Sequence, residues 1–385
     1  MLKIIPIFIV SIGLQVVNAN LDLALHSFLT LTKRKSLVGN KTDAIENLYN
    51  LYKIEFNRNS QRKSDDNLRF ISFNNTLHDI LDDYRQGEKT YTLGLNDHAD
   101  WTEDEWRILR NGFRLPKGNL SNINVKPGDR LLTWKGRLSK GRTIPTTSYD
   151  LTKMVVSGTT VPLVLSIKDQ GRCGSCYAFA FISLIEFQYA IQLKKSASLS
   201  EQQMVDCSYK DGGCNGGYFT NTFDYFKNNN YQVNGGPYYP YRAVQGNCGF
   251  RSNGAGGVIF GRLGYWNAVT NSDTAAANIQ QALVNYGVIY VGIYVGSDMD
   301  KRISSIFNNY KSGIIQISEC LTSVEQLNHA VVIVGYGVDS TTGLPYWKVR
   351  NTWGTSWGEG GYFKIQRGVN MCGIETEGFF IARPA

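Results

Sequence analysis

The sequence predicts an α+β fold of two subdomains with a cleft between them, preceded by a separate α-helical region. Three observations predict it. Up to about residue 112, apolar residues recur at helical spacing with no cysteine among them. All seven cysteines (Cys173, Cys176, Cys207, Cys214, Cys248, Cys320 and Cys372) fall in the last two-thirds of the chain. After Gly287 the hydrophobic period changes from that of a helix to that of a strand. At 385 residues the chain is long enough for two or three cores.

The first element is a leader. Met1-Leu-Lys precedes an apolar run from Ile4 to Val17, then small residues at Val17-Asn18-Ala19. This is the pattern of a secretory signal peptide over residues 1–19, cut after Ala19. The run is short for a bilayer and is interrupted by Pro6, Ser11 and Gln15. No later segment reads as apolar for long enough to cross a membrane. A secretory route permits disulfides and ends in the lysosome or outside the cell.

Residues 20–114 form the helical region. Asp43–Phe56 sets Ile45, Leu48, Tyr49, Tyr52 and Phe56 on one face. Asp65–Tyr84 repeats the pattern with Leu68, Phe70, Ile71, Phe73, Leu77, Ile80 and Leu81. A third helix starts at Thr102, where Glu105 completes a capping box, and stops near Gly112. Residues 115–143 are rich in Gly, Asn, Ser, Lys and Arg and carry Pro116 and Pro127. They read as an extended connector whose basic residues are points for proteolytic cutting. Glycosylation sequons occur at Asn40, Asn74 and Asn119, with Asn74 inside a predicted helix.

Residues 144–385 are helical first and β-rich second. Ser175–Leu193 is apolar on most faces and predicts a buried helix. A short helix follows at Ser200, with Gln203 completing a second capping box, and another spans Thr274–Tyr286 and ends at Gly287. Val288–Val295, Ala330–Tyr336, Tyr346–Arg350, Tyr362–Gln366 and Phe379–Ala382 read as strands. The net charge of +8 lies mainly before Ile144. It forms no basic patch interleaved with aromatics, so nucleic acid is not an expected partner.

An odd cysteine count leaves at least one thiol without an internal partner. That thiol is a nucleophile, an intermolecular bridge or an accident. A thiol attacks a carbonyl usefully as thiolate, so it needs a basic partner or a helix N-terminus. Cys176 stands at the start of a predicted helix, where the dipole favours negative charge. Of the four histidines, His26, His78, His98 and His329, only His329 lies after the connector. An imidazole partner in that part therefore has to be His329, at the entry to a strand. A satisfied core histidine is the competing reading of that residue taken alone. A zinc site built from cysteines would need a second closely paired cluster, and none is evident. No metal or cofactor is expected.

Gln170-Gly-Arg-Cys173-Gly-Ser-Cys176-Tyr177-Ala-Phe resembles the nucleophile segment of the papain-like cysteine peptidases. Leu327-Asn328-His329-Ala330 resembles their histidine segment. Arg350-Asn351-Thr352-Trp353-Gly354, followed by Trp357-Gly-Glu-Gly-Gly-Tyr362, resembles their asparagine segment. The resemblance implies a papain-like fold with a helical left half and a β-barrel-like right half. It implies an endopeptidase working through an acyl-enzyme thioester. Cys176 would be the nucleophile and His329 the acid/base, with Asn351 orienting the imidazole under Trp353. The side chain of Gln170 and the backbone N–H of Cys176 would form the oxyanion hole, each donor worth about 10²–10³ in rate. Implied disulfides are Cys173–Cys214, Cys207–Cys248 and Cys320–Cys372, leaving Cys176 free.

The resemblance extends to the cleft and to the region before it. Gly216 and Gly217 would let an extended substrate approach the backbone, near Asn328 and Trp353. Tyr218, Phe219, Leu327, Ala330 and Glu377 would line the pocket for the second residue before the cut. Glu377 implies that this pocket takes Arg as well as large apolar side chains. Residues 20–114 resemble the inhibitory propeptide of the cathepsin L-like branch, through Gly94-Leu-Asn96-Asp-His98-Ala-Asp100. The branch's helix register falls here on Asp65, Arg69, Phe73, Thr76, Ile80 and Tyr84, of which three match. Carboxylates and His98 would lose their pairing as pH falls and loosen this region. Expected partners are protein and peptide substrates, the propeptide as inhibitor, and protein inhibitors of cysteine peptidases. The expected state is a monomer.

The chain departs from the family at Tyr177, at Ala180 and in a long segment 148–167 before Gln170. The rival class is a catalytically silent binding protein on the same scaffold, which would lack the Cys or the His. An exopeptidase would need a histidine-bearing loop between Cys207 and Cys248, where no histidine occurs.

Overall fold

Leu21, Leu25, Phe28 and Leu29 recur at helical spacing and form the buried stripe of α1 (Leu21–Lys33), a helix the periodicity reading did not separate out. The computed structural model describes residues 21–33, 41–58, 63–116, 144–252 and 257–383. α2 (Lys41–Glu55) and α3 (Lys63–Arg85) fall within two residues of their expected bounds. Their apolar faces meet. Ile45, Leu48, Tyr49 and Tyr52 pack with Phe73, Leu77, Ile80 and Leu81 in a small core of their own. β1 (Tyr91–Leu93) and α4 (Glu103–Arg110) leave that core. α4 carries the expected reciprocal capping box: Glu105 N–H donates to Thr102 Oγ1 at 3.4 Å, and Thr102 N–H to Glu105 Oε2 at 2.9 Å. Trp106 and Leu109 on its buried face belong to the second, larger core.

The helical half of the larger unit holds β2 (Tyr149–Asp150), α5 (Cys176–Leu193), α6 (Glu201–Cys207) and α7 (Phe219–Asn228). The pair β3 (Gln232–Val233) and β4 (Val258–Ile259) completes it. α5 is apolar all round and is the one described helix long and apolar enough to cross a membrane. This corrects the expectation that no such segment follows the leader; 78% of that stretch is buried, which makes it the core helix. α6 keeps only half of its expected box. Ser200 Oγ accepts from Gln203 N–H at 3.1 Å, but the Gln203 side chain turns away to Tyr225 Oη at 3.0 Å and to the backbone of Asn234 at 2.7 Å. A buried amide needs several partners, and Tyr225 and Asn234 satisfy both ends of the Gln203 side chain. α7 was not foreseen; Phe219, Phe223 and Phe226 form its buried face.

The second half holds β5 (Gly264–Asn267), α8 (Ala275–Tyr286), β6 (Ile289–Ile293), α9 (Lys301–Asn309) and β7 (Tyr310–Ile315). It continues with β8 (His329–Val338), β9 (Pro345–Arg350), β10 (Tyr362–Gln366) and β11 (Phe379–Ala382). The strands run in the order β1-β7-β10-β9-β8-β6-β11-β5, with β2 on β8. β8 is central and buried along all but its last residue. β1 pairs antiparallel with β7, Tyr91 opposite Gly313, so the N-terminal region adds a strand to the sheet. Cys173–Cys214, Cys207–Cys248 and Cys320–Cys372 are bridged, and Cys176 is free and buried.

The leader 1–19, the connector from residue 117 to 143 and the sequons at Asn40 and Asn119 lie outside the described residues. Asn74 sits in the middle of α3, with its carboxamide oxygen enclosed and without a hydrogen-bond partner. That is a helical, partly buried position and not the exposed loop usual for a glycan acceptor.

Candidate active site

Cys176 is the first residue of α5. Ser175, the residue before it, gives its hydroxyl to a 2.6 Å bond with Tyr241 Oη instead of capping the helix. The segment leading in is clamped at several points. Gly174 N–H donates to Cys214 O at 2.9 Å beside the Cys173–Cys214 bridge. Lys168 lies between the buried carboxylates of Glu186, at 2.7 Å, and Glu201. Gln170 is held at both ends of its side chain: Nε2 donates to Cys173 O at 2.9 Å, and Oε1 accepts from Thr352 Oγ1 at 2.6 Å. Its N–H donates to Thr352 O at 2.9 Å.

Strand pairing delivers the other two groups. His329 opens β8 and Asn351 directly follows β9, with Val332 opposite Arg350. His329 Nε2 lies 2.8 Å from Asn351 Oδ1. That oxygen also accepts from Thr352 N–H at 2.9 Å, which fixes the amide the right way round. Nε2 is therefore the protonated nitrogen, and Nδ1, buried and unpartnered, is the basic one. Trp353 lies 4.8 Å from the imidazole, centroid to centroid, and Trp357 backs it at 5.1 Å. The next residue of β8, Ala330, donates its N–H to Cys176 Sγ at 3.3 Å. Burial pushes the Cys176 thiol up to about 12, against the pull of nearby backbone N–H groups including that of Ala330. Burial also draws His329 down to about 4, opposed by its bond to Asn351. Burial thus favours the neutral form of each group.

The cover is the N-terminal region. Trp106 of α4 meets Trp353 edge-on at 5.7 Å. Leu109 O, at the end of α4, accepts from Gln170 Nε2 at 3.3 Å. Gly112 lies directly on the thiol: a Cβ there would sit 2.5 Å from Cys176 Sγ and 2.8 Å from the Gly174 backbone. Gly217 N–H donates to Gly112 O at 3.1 Å, Arg114 N–H to Gly217 O at 2.9 Å, and Phe113 N–H to Asn328 O at 3.0 Å. Gly216 has φ of +104°, and a Cβ would press on Arg114 and Asn111. Phe113 is buried against Tyr218, ring centroids 5.3 Å apart, and Leu327 lies beside it. Further out, Gly94 N–H reaches Asn309 O at 2.8 Å and Asn96 Nδ2 reaches Asn308 O at 2.8 Å.

Two expected pocket residues need correction. The Phe219 ring faces the core, stacked on Phe379 at 4.5 Å and 3°, because α7 turns it inward with Phe223. Glu377 is buried and does not stand open to the cleft. Tyr218 Oη donates to its Oε2 at 2.6 Å, while Oε1 has no hydrogen-bond partner. Burial raises its carboxyl to about 7, partly offset by the Tyr218 bond. The structure also adds residues that motif reading passed over. Thr352 ties Gln170 to the Asn351 loop, and Lys168 and Tyr241 brace the approach to Cys176; Tyr241 Oη donates to Gln170 O at 2.6 Å. Thr352, between Asn351 and Trp353, was the one with a positional signal.

Comparison with known proteins agrees with this geometry. Residues 149–382 match the papain family cysteine protease, and residues 49–106 match the cathepsin propeptide inhibitor domain. The chain is 32% identical over 340 residues to cathepsin L of Sarcophaga peregrina, covering 87% of this chain and 92% of that one. It is 34% identical over 319 residues to digestive cysteine proteinase 1 of Homarus americanus, covering 81% and 84%. The structure of digestive procathepsin L2 proteinase from Tenebrio molitor larval midgut superposes with a TM-score of 0.70 at 29% identity, covering 88% of this chain and all of that one. The covered thiol, the imidazole one strand away and the chain's own segment lying across them thus have a common explanation: the chain belongs to the papain family, as a cathepsin L-like cysteine endopeptidase precursor carrying its inhibitory propeptide.

Proposed function

We propose that Cys176 is the nucleophile, His329 the acid/base, Asn351 the group that orients it, and Gln170 with the Cys176 backbone N–H the oxyanion donors. The Cys176 thiolate attacks the scissile carbonyl carbon, and the oxyanion is held by those donors. The His329 imidazolium passes its proton to the leaving amine as the C–N bond breaks, leaving a thioester. Water, deprotonated by His329, then releases the acid product. The observation that carries this reading is the course of residues 109–114. They cover Cys176, with Gly112 lying directly on the thiol, and they engage Gln170 and Gly217, the groups expected to hold a substrate. The catalytically silent alternative is disfavoured by the presence of every one of these groups.

Phe113 in the pocket beside Tyr218 and Leu327 supports a large apolar side chain as the second residue before the cut. Glu377 modifies the expected acceptance of Arg. With a carboxyl titrating near 7 and bonded to Tyr218, the pocket is neutral in acid and anionic above neutrality. Arg peptides then compete with Phe peptides at pH 8 and not at pH 5. The leader and the connector fit an enzyme that is secreted or delivered to lysosomes, cut within residues 115–143, acting as a monomer on protein and peptide substrates and open to protein inhibitors. The deciding experiment incubates the purified precursor at acid pH beside Cys176→Ala. Thiol-dependent self-shortening and peptide cleavage by the first alone is the expected result; activity in the variant removes Cys176 from the mechanism.

A further inference from the structure

Arg110 ends α4, two residues before the glycine that lies on the thiol. Its side chain is 1% exposed, a cation sealed between α4 and the segment that leads into α9. From its own helix it pairs with Glu103. From the peptidase side, Asp298 Oδ1 lies 3.8 Å from its Nη2, and the Asn308 side-chain oxygen accepts from Nη1 at 3.5 Å. Arg107, one turn earlier, reaches Asp298 Oδ2 at 3.8 Å. Among the described residues these two arginines are the ion-pair partners of Asp298, and both belong to the propeptide.

The position of this site relative to the cut follows from its neighbours. Phe113 enters the pocket of Tyr218 and Leu327 on one side of Cys176. Leu109 at Gln170 and Trp106 on Trp353 lie on the other side, and Arg110 with them. With residues before the cut on the Gly217 side, as in the proposed function, those after it leave on the side of Leu109, Trp106 and the Arg110–Asp298 pair. The loop bearing Asp298 is fixed to the catalytic strand: Asn328, the residue before His329, donates from Nδ2 to Gly296 O at 2.6 Å and accepts from Val295 N–H at 3.0 Å. Loss of the propeptide removes Arg107, Arg110 and Glu103 together. Asp298 is left beside the cleft with a carboxylate and no cation, and Asn308 with a free acceptor.

We propose that Asp298 and Asn308 form a subsite for a basic side chain within the first two residues after the scissile bond, and that Arg110 occupies it in the precursor. The proposal rests on Cys176 as the reacting centre. A half-exposed carboxylate supports a modest preference, about two- to fivefold in kcat/KM. The test uses internally quenched peptides identical up to the cut, with Arg, Ala or Glu at the first or the second position after it. Wild type and Asp298→Asn are both matured from the full chain, and the Arg:Ala ratio is read within each preparation, so incomplete folding scales both peptides alike. The expected result is Arg over Ala over Glu in wild type at one of the two positions, and an Arg:Ala ratio near one in the variant. No preference in wild type at either position, or a preference that survives in Asp298→Asn, overturns the subsite alone. A wild type that cuts no peptide overturns the peptidase reading and the subsite with it.

Discussion

At the residue scale, burial under the propeptide favours the neutral forms of both Cys176 and His329. Glu377 shows the same physics with a measurable sign. Its folded carboxyl titrates near 7 against an ordinary value of 4.5, so the fold favours the protonated form. The stability this contributes is present below pH 4.5 and is lost as pH rises through 7, on the order of 3 kcal/mol. Glu377→Gln keeps an acceptor for Tyr218 and removes the titration. In a Cys176→Ala background, Tm should fall between pH 5 and pH 8 more steeply in the chain that keeps Glu377 than in the one that also carries Glu377→Gln; parallel profiles would refute the assignment.

At the element scale, α4 links the small propeptide core to the peptidase. Its capping residue Glu105 also pairs with Arg69 of α3, Nη2 to Oε1 at 2.7 Å, and with Arg172 of the peptidase at 2.7 Å. Burial pushes the Glu105 carboxyl up, but the Arg69 hydrogen bonds, the Thr102 N–H and the charges of Arg69 and Arg172 together hold it below its ordinary value. Glu105→Ala strips the cap and leaves the largely buried Arg69 guanidinium with only its bond to Asp100 O among the described residues, a cost of about 2–4 kcal/mol. Urea unfolding of the inactive precursor should show an early propeptide transition shifted to lower denaturant, with the peptidase transition unmoved. Elements with a strong period or a cap were legible in the sequence: α2, α3, α4, α5, α8 and the strands β8 to β11. α9 was missed because its polar residues Ser304, Ser305, Asn308 and Asn309 are buried along with Ile303, Ile306 and Phe307, which blurs the periodicity. In the site, Cys176, His329, Asn351 and Gln170 stood in recognisable segments. The role of Thr352 and the inward turn of Phe219 depend on contacts between elements, which no local pattern encodes.

At the scale of the whole molecule, acid acts on the joint between propeptide and peptidase. Burial lowers His98 against the opposing fields of Asp97 and Asp169, and its ring meets Trp101 edge-on at 4.2 Å. A base depressed in the fold contributes stability above its ordinary value of 6.5 that is lost as pH falls below it. Glu105, held low, acts in the same direction below 4.5, whereas Asp79 and Asp100, raised by burial, act against it. Self-processing should therefore run faster at pH 4.5 than at pH 7, with a smaller acceleration in His98→Gln. Equal rates at the two pH values would remove acid as the trigger. The pairing of β1 with β7 carries a separate consequence for the enzyme once processed. Tyr310–Ile315 is an inner strand in the precursor, bonded on one side to β10 and on the other to the propeptide. Processing turns it into a rim, with a row of amides and carbonyls newly open to any extended chain. Lys311, now paired with Asp22 at 3.1 Å, and the bent backbone at Gly313, φ of +88°, are what remain to keep two processed molecules from joining along that rim. An edge that the precursor keeps covered is thus exposed only in the processed enzyme.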